Sequence, residues 1–407
     1  MTGDSKISLI IESTIFENAA SNSTIDGGVL AALGGEAWEE LEANSTIDAQ
    51  VRLVPPHVFA YTMAYFTGSK EHNVRMRQRA LDMGLRLNEF GLFPLEGLGD
   101  AKGLQAAKNG LPAFDEEEIY EHLQMKWVPP EMREDMGEIE AALSGTLPSL
   151  IEPVQVKGAL HNHTTASDGT GSLSEMAEAA IDLGWEFLGI ADHSEILNIG
   201  GRSIGVPQDE VVQQGNEIRD MNYKWEEEDT NFRLLHGSEC DILADGKLDY
   251  PDSIRREFSH VVGSVHAIGS WRNRDEIENT EILIKAIEDP TFTILGHPTG
   301  RIIGGREGFP LDLHAVLRRM GELNEEGILK ACEINASPYR LDLDWRLCKF
   351  AKSQGVPIVI NPDAHSTKGL KDVWFGVQMA RKGWLEEADV LNCLPGSVIE
   401  ERMMEGK

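Results

Sequence analysis

Nine histidine, aspartate and glutamate side chains stand at or just after the ends of short apolar runs, and all nine could bind metal ions. They are His161, His163, Asp168, His193, Glu239, His266, His297, Asp363 and His365. Imidazole and carboxylate donors together suit zinc, manganese or iron, whereas sites made only of oxygen donors favour magnesium or calcium. Because one such ion binds at most about six donors, nine donors predict more than one ion.

A lone histidine at the end of a strand is more often a hydrogen-bonded core or surface residue than a metal ligand. Here, however, six of the 12 histidines stand at such positions, which random scatter would seldom produce. Residues two apart on a strand point to the same face, so His161 with His163, and Asp363 with His365, can each aim two donors at one side. The pattern therefore favours a shared metal centre.

The elements that would position these side chains alternate between short apolar runs and amphipathic stretches. The runs have the length and the flanking turn residues of buried strands, and they span 156–163, 187–193, 232–239, 260–266, 292–297, 331–335 and 357–365. Helices are predicted between them at 172–183, 209–225, 274–287, 313–323 and 345–354. This alternation predicts an α/β fold with a barrel of parallel strands, in which catalytic groups lie at the carboxyl ends of the strands.

Seven segments that contain these residues resemble the polymerase and histidinol phosphatase (PHP) domain, particularly the version at the C-terminus of bacterial family X DNA polymerases. They are HNHTTASDG at 161–169, ADHS at 191–194, GSECDIL at 237–243, SVH at 264–266, GHPTGR at 296–301, EINASPYRLDLDW at 333–345 and NPDAHS at 361–366. All nine metal-ligand positions of the family pattern are filled. The resemblance implies a distorted (β/α)7 barrel that hydrolyses phosphoesters.

The resemblance also implies three divalent ions, of zinc, manganese or iron, and a division of the donors among them. The first set would be His161, His163, Glu239 and Asp363, the second Glu239, His266 and His297, and the third Asp168, His193 and His365. Glu239 would then bridge two ions. Clustered divalent ions lower the pKa of a bound water toward neutrality and hold both the attacking and the leaving oxygen of a phosphoryl group.

Arg340 matches a family position that contacts the substrate phosphate. A guanidinium presents a rigid fork that suits phosphate oxygens, so Arg340 is assigned a catalytic and substrate-binding role. An ion pair with Asp342 or Asp344 is the alternative for this residue. Arg301 and Asn335 are further candidates for substrate binding.

The segment 49–93 resembles the end of the palm and the thumb of family X polymerases. YFTGS at 65–69 matches the nucleotide-contacting turn between palm and thumb, and 116–142 continues the thumb. Such polymerases hold magnesium with a paired-aspartate motif and a third aspartate. Gln50 stands at the third position, and no paired-aspartate strand is apparent upstream, so we expect nucleotidyl transfer to be lost.

These resemblances predict the domain organisation. An unassigned segment, 1–48, precedes a small α+β palm-end and thumb-like domain at 49–142. A linker at 143–154 then leads into the phosphoesterase domain at 155–400.

Composition limits the partners of the chain. With 68 acidic and 37 basic residues the net charge is −31, which disfavours extended binding of duplex DNA because such binding gains affinity from Lys and Arg. The stretch 71–79 is nevertheless locally basic. No apolar run approaches the roughly 20 residues that span a membrane, and the start lacks the features of a signal peptide, so we expect a cytoplasmic protein without a membrane partner. No obligate protein partner is indicated.

Three functions are compatible with these observations. The thumb-like segment favours a phosphoesterase acting on DNA 3′ ends, as a 3′-5′ exonuclease or 3′-phosphatase, with single-stranded DNA ends or nucleotides as substrates. The net charge favours a phosphatase for small phosphomonoesters of the histidinol phosphate or nucleotide type. A non-enzymatic module that binds DNA ends is disfavoured, because structural metal sites usually close with four ligands.

Overall fold

Two compact units divide the chain between Pro148 and Ser149. The computed structural model describes residues 6–12, 46–96, 109–199, 201–266 and 268–404. The division falls within the predicted linker 143–154. Of the unassigned segment 1–48, only 6–12 and 46–48 belong to the described residues.

The first unit contains two strand pairs and four α-helices within its described residues. In chain order they are β1 (Lys6–Glu12), β2 (Thr46–Arg52), α1 (Phe59–Phe66), α2 (Lys70–Asp82), β3 (Leu85–Asn88), β4 (Gly91–Pro94), α3 (Glu116–His122) and α4 (Glu138–Ser144). β1 pairs antiparallel with β2, and β3 pairs antiparallel with β4. This mixture agrees with the α+β class predicted for the segment.

The turn of the YFTGS segment packs against Arg133. Gly68 has a φ of +88°, and a Cβ at this position would lie 2.5 Å from the Cβ of Arg133, so only glycine fits without a shift. Ser69 donates its backbone N–H to the Arg133 carbonyl (2.8 Å), and its hydroxyl caps α2 by accepting from the backbone N–H of His72 (3.0 Å). Arg133 is fully buried and forms a two-bond ion pair with Glu116.

The second unit alternates strands with helices, as predicted. In chain order the elements are β5 (Gly158–Ala159), α5 (Leu173–Asp182), β6 (Phe187–Ile190), β7 (Asn198–Ile199), β8 (Arg202–Ser203), α6 (Gln208–Glu227), β9 (Arg233–Asp241), α7 (Asp252–Arg255), β10 (His260–Ser264), α8 (Ile268–Asn273), α9 (Glu276–Ile287), β11 (Ile294–Leu295), α10 (Leu313–Glu325), β12 (Ala331–Asn335), α11 (Trp345–Ser353), β13 (Ile358–Asn361), α12 (Val373–Lys382) and α13 (Gly396–Met404). Each predicted run coincides with one strand of the sheet, and β9 continues beyond its run to Asp241.

Seven parallel strands of the described chain form one sheet in the order β5, β6, β9, β10, β11, β12, β13. The sheet nearly closes, because an isolated parallel bridge joins Asn162 to Ala364 just beyond its first and last strands. The predicted α/β barrel of seven strands is therefore confirmed. Several strands are shorter than the apolar runs, and β11 keeps only two residues of the run 292–297.

The side chains that point into the barrel form an apolar layer, followed by a polar layer nearer the carboxyl ends of the strands. One cluster of buried side chains takes residues from each strand or its end and includes two residues of α13: Leu160, Phe187, Leu235, Val262, Ile294, Ala331, Val359, Ile399 and Met403. Two or four residues further along three of these strands stand Glu239, Glu333 and Asn361, which share the inward face. The apolar layer therefore lies directly beneath the polar side chains of the predicted site.

The cysteines and the helix lengths are two further features of the described chain. The four cysteines are buried free thiols: Cys240, Cys332, Cys348 and Cys393. None of the helices in the described parts of the chain combines the length and apolar character needed to cross a bilayer.

Candidate metal centre

The donors of the first set face one another at the carboxyl ends of the strands. His161 Nε2 lies 3.3 Å from Glu239 Oε2 and 3.5 Å from Asp363 Oδ1. His163 Nε2 lies 3.6 Å from Glu239 Oε2 and 3.0 Å from Asp363 Oδ1. All four side chains are at least nine-tenths buried.

The second set meets around the other oxygen of Glu239. Its Oε1 lies 3.2 Å from His266 Nε2 and 2.9 Å from His297 Nε2. Because Oε2 faces the first set, the carboxylate of Glu239 stands between two groups of imidazoles. This is the geometry that a bridging ligand requires.

The third set is the most exposed. Asp168 Oδ1 lies 3.4 Å from His193 Nε2 and 3.3 Å from His365 Nε2. The side chains of His365 and Asp168 are 41% and 27% exposed, whereas that of Glu239 is 1% exposed. Solvent and substrate therefore reach the centre most readily from this side.

The spacing of these atoms fits divalent ions. Ligands placed tetrahedrally at about 2.0–2.1 Å from a zinc ion lie roughly 3.3–3.4 Å from one another, close to the separations in all three sets. Three of the facing atoms, His161 Nε2, Asp168 Oδ1 and Glu239 Oε2, are buried without a hydrogen-bond partner among the described residues. Such atoms are costly to bury unsatisfied, and a metal ion would satisfy them.

Two groupings depart from the predicted division of the donors. His163 also lies within reach of the third set, since its Nδ1 is 3.9 Å from Asp168 Oδ1. His193 Nδ1 lies 2.8 Å from Glu239 Oε2, which brings His193, Glu239 and His266 together as a further group. The nine donors thus form one continuous cluster, and their assignment to individual ions stays a prediction.

The electrostatics of the cluster favour cations. Burial alone would lower the pKa of His193, but the carboxylates of Glu239 and Asp168 raise it to about 9. Glu239 likewise outweighs burial at His266 and raises its pKa to about 10. Burial opposes ionisation of Glu239, yet His266 and His161 hold its pKa well below the ordinary value. The same negative field attracts divalent ions, whose binding releases the histidine protons.

Backbone conformation also marks two of the donors. His297 has a φ of +22° and Asp363 a φ of +53°, in a region that residues other than glycine seldom adopt. Each stands where the chain turns away from its strand. Backbone strain of this kind costs about 1–3 kcal/mol and is found most often at functional sites.

Glu333 was not predicted as a site residue. It accepts hydrogen bonds from two of the donor residues, His161 and His297, and from Asn361. Its Oε2 accepts from His161 Nδ1 (2.8 Å) and from Asn361 Nδ2 (2.9 Å), and its Oε1 accepts from the backbone N–H of His297 (3.0 Å). A proton on His161 Nδ1 leaves Nε2 free as a ligand. Its place two residues before Asn335 on β12, on the same face, was the available sequence signal.

Asp192 and Asp241 are two further supports that the sequence analysis missed. The carboxylate of Asp192 accepts from Thr164 N–H (2.7 Å), Thr164 Oγ1 (2.7 Å) and Gln214 Nε2 (2.7 Å), which fixes the turn that leads to Asp168. Asp241 Oδ1 lies 3.1 Å from His266 Nδ1. Asp192 directly precedes His193 in ADHS, and Asp241 follows Glu239 by two residues in SECD.

Arg340 reaches the centre from the loop after β12. Its Nε lies 3.6 Å from Asp363 Oδ2, and its Nη1 is buried without a hydrogen-bond partner among the described residues. Neither Asp342 nor Asp344 forms an ion pair with it within the described chain. Burial and the positive charge of Arg340 both lower the pKa of His297. The guanidinium therefore retains donor capacity for a phosphate.

Arg301 and Asn335, the other candidates for substrate binding, are engaged within the chain. Arg301 donates from Nε to the Arg340 carbonyl (2.9 Å), from Nη2 to the Leu341 carbonyl, and from Nη1 to Asp344 Oδ2 (3.1 Å). Asn335 donates from Nδ2 to Asp363 Oδ2 (3.0 Å). These contacts favour a positioning role for both residues over direct contact with substrate.

We expect Glu333→Gln to weaken metal binding about 10–100-fold, the usual effect of losing a carboxylate that orients a ligating histidine. The amide of glutamine has a single accepting oxygen, and its NH2 group cannot accept a hydrogen bond. Either the contact with His161 or the one with the backbone of His297 would therefore be lost. Competition with a chelator measures the affinity, and exposed Glu325→Gln on α10 is the matched control. Unchanged affinity in a folded Glu333→Gln protein would rule out the positioning role.

Comparison with known proteins gives two matching family models. The PHP domain matches residues 159–335, and the DNA polymerase beta thumb matches residues 62–134. The chain is 40% identical over 341 residues, 84% of its length, to the DNA polymerase/3'-5' exonuclease PolX of Bacillus subtilis, and it spans 55% of that relative. A probable phosphatase of Clostridium acetobutylicum is 26% identical over 209 residues, which are 51% of this chain and 78% of that protein.

Among solved structures, a histidinol phosphate phosphatase from Lactococcus lactis in complex with zinc, L-histidinol and phosphate aligns with 56% of this chain and 94% of its own. The identity is 17% and the TM-score is 0.41.

Proposed function

The chain carries a PHP domain preceded by a DNA polymerase beta thumb domain, and from this premise we propose that it is a metal-dependent phosphoesterase that hydrolyses DNA 3′ ends. The observation that carries the proposal is the convergence of nine donors, with separations that suit divalent ions, at the open end of the barrel. The name of the Bacillus subtilis relative includes a 3'-5' exonuclease. A thumb domain in the same chain supports a DNA substrate.

The proposal includes three divalent ions of zinc, manganese or iron, held by the three donor sets. When bound, they would supply an activated water and neutralise charge on the phosphoryl group. Glu239 holds two sets at a fixed separation, because its two oxygens face different imidazoles. Arg340 binds and orients a phosphate oxygen with the buried edge of its guanidinium, and Asp168 and His365 form the entrance through which substrate arrives.

Nucleotidyl transfer is not part of the proposed activity. The resemblance to family X polymerases places a magnesium-binding aspartate where this chain has Gln50, which lies on β2. An amide carries no negative charge and is a weaker ligand for magnesium than a carboxylate.

A phosphatase for small phosphomonoesters is the second candidate, and the charges of the first unit favour it. Arg75, in the basic stretch of α2, pairs with Asp135 and Glu140, and His72 is buried against Glu138. One of the three arginines in the basic stretch 71–79 is therefore neutralised within the unit. The net charge of −31 also opposes long nucleic acids.

The two candidates are separated by comparing two substrates. The purified full chain with added manganese is incubated with a 5′-labelled single-stranded oligonucleotide or with p-nitrophenyl phosphate, at several salt concentrations. We expect stepwise shortening from the 3′ end that weakens as salt rises. Turnover of p-nitrophenyl phosphate with an intact oligonucleotide would reject the DNA-end proposal in favour of the second candidate.

A further inference from the structure

Three arginines stand on the loops that leave three neighbouring strands. Arg272 belongs to α8, which follows β10, Arg306 lies between β11 and α10, and Arg340 lies between β12 and α11. β10, β11 and β12 are adjacent in the sheet. The three side chains therefore start from the same end of the barrel as the metal donors.

The loops that carry Arg306 and Arg340 are joined by hydrogen bonds. Ile303 donates its backbone N–H to the carbonyl of Tyr339 (2.7 Å), and Arg301 Nε donates to the carbonyl of Arg340 (2.9 Å). Both bonds come from the residues just before Arg306, and the backbone N–H of Arg306 donates to the carbonyl of Ile302 (2.7 Å). The two arginines are thus held on a connected piece of backbone.

A packed aromatic residue connects Arg306 to α8. The ring of Phe309 lies 6.2 Å from the ring of Trp271, which is fully buried, and the guanidinium of Arg306 lies 5.9 Å from the Phe309 ring centre. Arg306 Nε also donates to the carbonyl of Gly300 (2.8 Å), so its side chain has a defined direction. Arg272 is the next residue after Trp271.

The three arginines carry like charges at one end of the barrel, and among them only Arg340 lies within ion-pair distance of a described carboxylate, Asp363. Burial lowers the pKa of Arg306, and the positive charges of Arg340 and Arg272 lower it further, in agreement with their places on neighbouring loops. In the described chain, neither Arg272 nor Arg306 forms an ion pair with a carboxylate. Such clustering of like charges is unfavourable, and in a chain of net charge −31 it is unexpected unless an anion binds there.

We propose that Arg272 and Arg306 form a second anion subsite, which binds the phosphate next to the one held by Arg340 and the metal centre. The ligand is a nucleotide strand with a non-scissile phosphate, because guanidinium forks match phosphate oxygens. This inference rests on the proposed phosphoesterase function and names its substrate class. A substrate with a single phosphate would not use the subsite.

Binding of two thymidine nucleotides tests the subsite without relying on turnover. Calorimetric titration of the manganese-loaded full chain would compare thymidine 3′,5′-bisphosphate with thymidine 5′-monophosphate. We expect the bisphosphate to bind about tenfold more tightly, the effect of one or two charge-assisted hydrogen bonds. Arg272→Gln and Arg306→Gln should each reduce this ratio, and the double variant should bring it close to one.

Two variants control for charge and folding. Arg318→Gln, at an exposed position on α10, removes the same charge and should keep the ratio, and Arg306→Lys should recover part of it. Arg272 is exposed, so Arg272→Gln tests the proposal even if Arg306→Gln fails to fold. Equal affinity for the two nucleotides in the unaltered protein, or an unchanged ratio in the variants, would overturn the subsite. If the unaltered protein showed the tenfold difference in affinity but did not hydrolyse DNA 3′ ends, the proposed function would be rejected and the subsite would stand.

Discussion

Glu239→Gln should abolish phosphoester hydrolysis, lowering kcat/KM by at least about a thousandfold. Losing a group that only orients a ligand already costs about 10–100-fold, and Glu239 faces two donor sets directly. Its Oε2 lies 3.3 Å from His161 Nε2 and its Oε1 lies 3.2 Å from His266 Nε2. The amide would remove the negative charge shared by both sets and replace one donor oxygen with an NH2 group.

Activity and metal content should fall together in this variant. Kinetics with the better of the two substrates gives kcat/KM, and elemental analysis after dialysis gives the number of bound ions. Glu226→Gln, on the exposed surface of α6, makes the same chemical change and should alter neither quantity. If Glu239→Gln retained full activity, Glu239 would not be a ligand.

Arg340→Ala should lower kcat/KM about a hundredfold while metal content stays unchanged. Removing one preorganised donor to a developing negative charge costs about 10²–10³-fold, and the buried Nη1 of Arg340 is available for this task. Arg340→Lys keeps the charge but loses the planar fork, so it should recover only part of the activity. Loss of metal together with activity would instead show that Arg340 only supports Asp363.

The dependence of the rate on substrate concentration gives a second test for Arg340. Steady-state kinetics should show the larger change in KM if the guanidinium binds the ground-state phosphate, and in kcat if it acts mainly in the transition state. Arg318→Ala, on the outer face of α10, is the control for removal of an arginine. Identical kinetics for Arg340→Ala and the unaltered protein would exclude a substrate role.

The seven strands and their order were predictable because each strand is an apolar run that ends in a recognisable polar residue. A parallel barrel places all such ends on one side, so the gathering of His161, Glu239 and Asp363 follows from the order of the runs alone. The lengths of the strands were not predictable. Residues such as His297 leave the sheet early through a positive φ, which depends on neighbouring loops.

The supports of the site were harder to predict than its donors. Glu333 orients His161 across 172 residues of sequence, and its place two residues before Asn335 on β12 indicates a shared face but not which distant side chain it contacts. Arg301 carries the charge expected of a phosphate ligand, yet its guanidinium contacts the carbonyls of Arg340 and Leu341. Such roles are decided by the packing of loops against one another, which spacing along the chain does not report.

The most direct test of the account is an anomalous scattering measurement on crystals of the full chain loaded with zinc. We predict three peaks at the barrel's open end, with His161, His266 and His193 each contributing a nitrogen at about 2.0–2.1 Å to a different peak. Glu239 should lie between two of the peaks. A single peak, or none within reach of these residues, would contradict the proposed trinuclear centre.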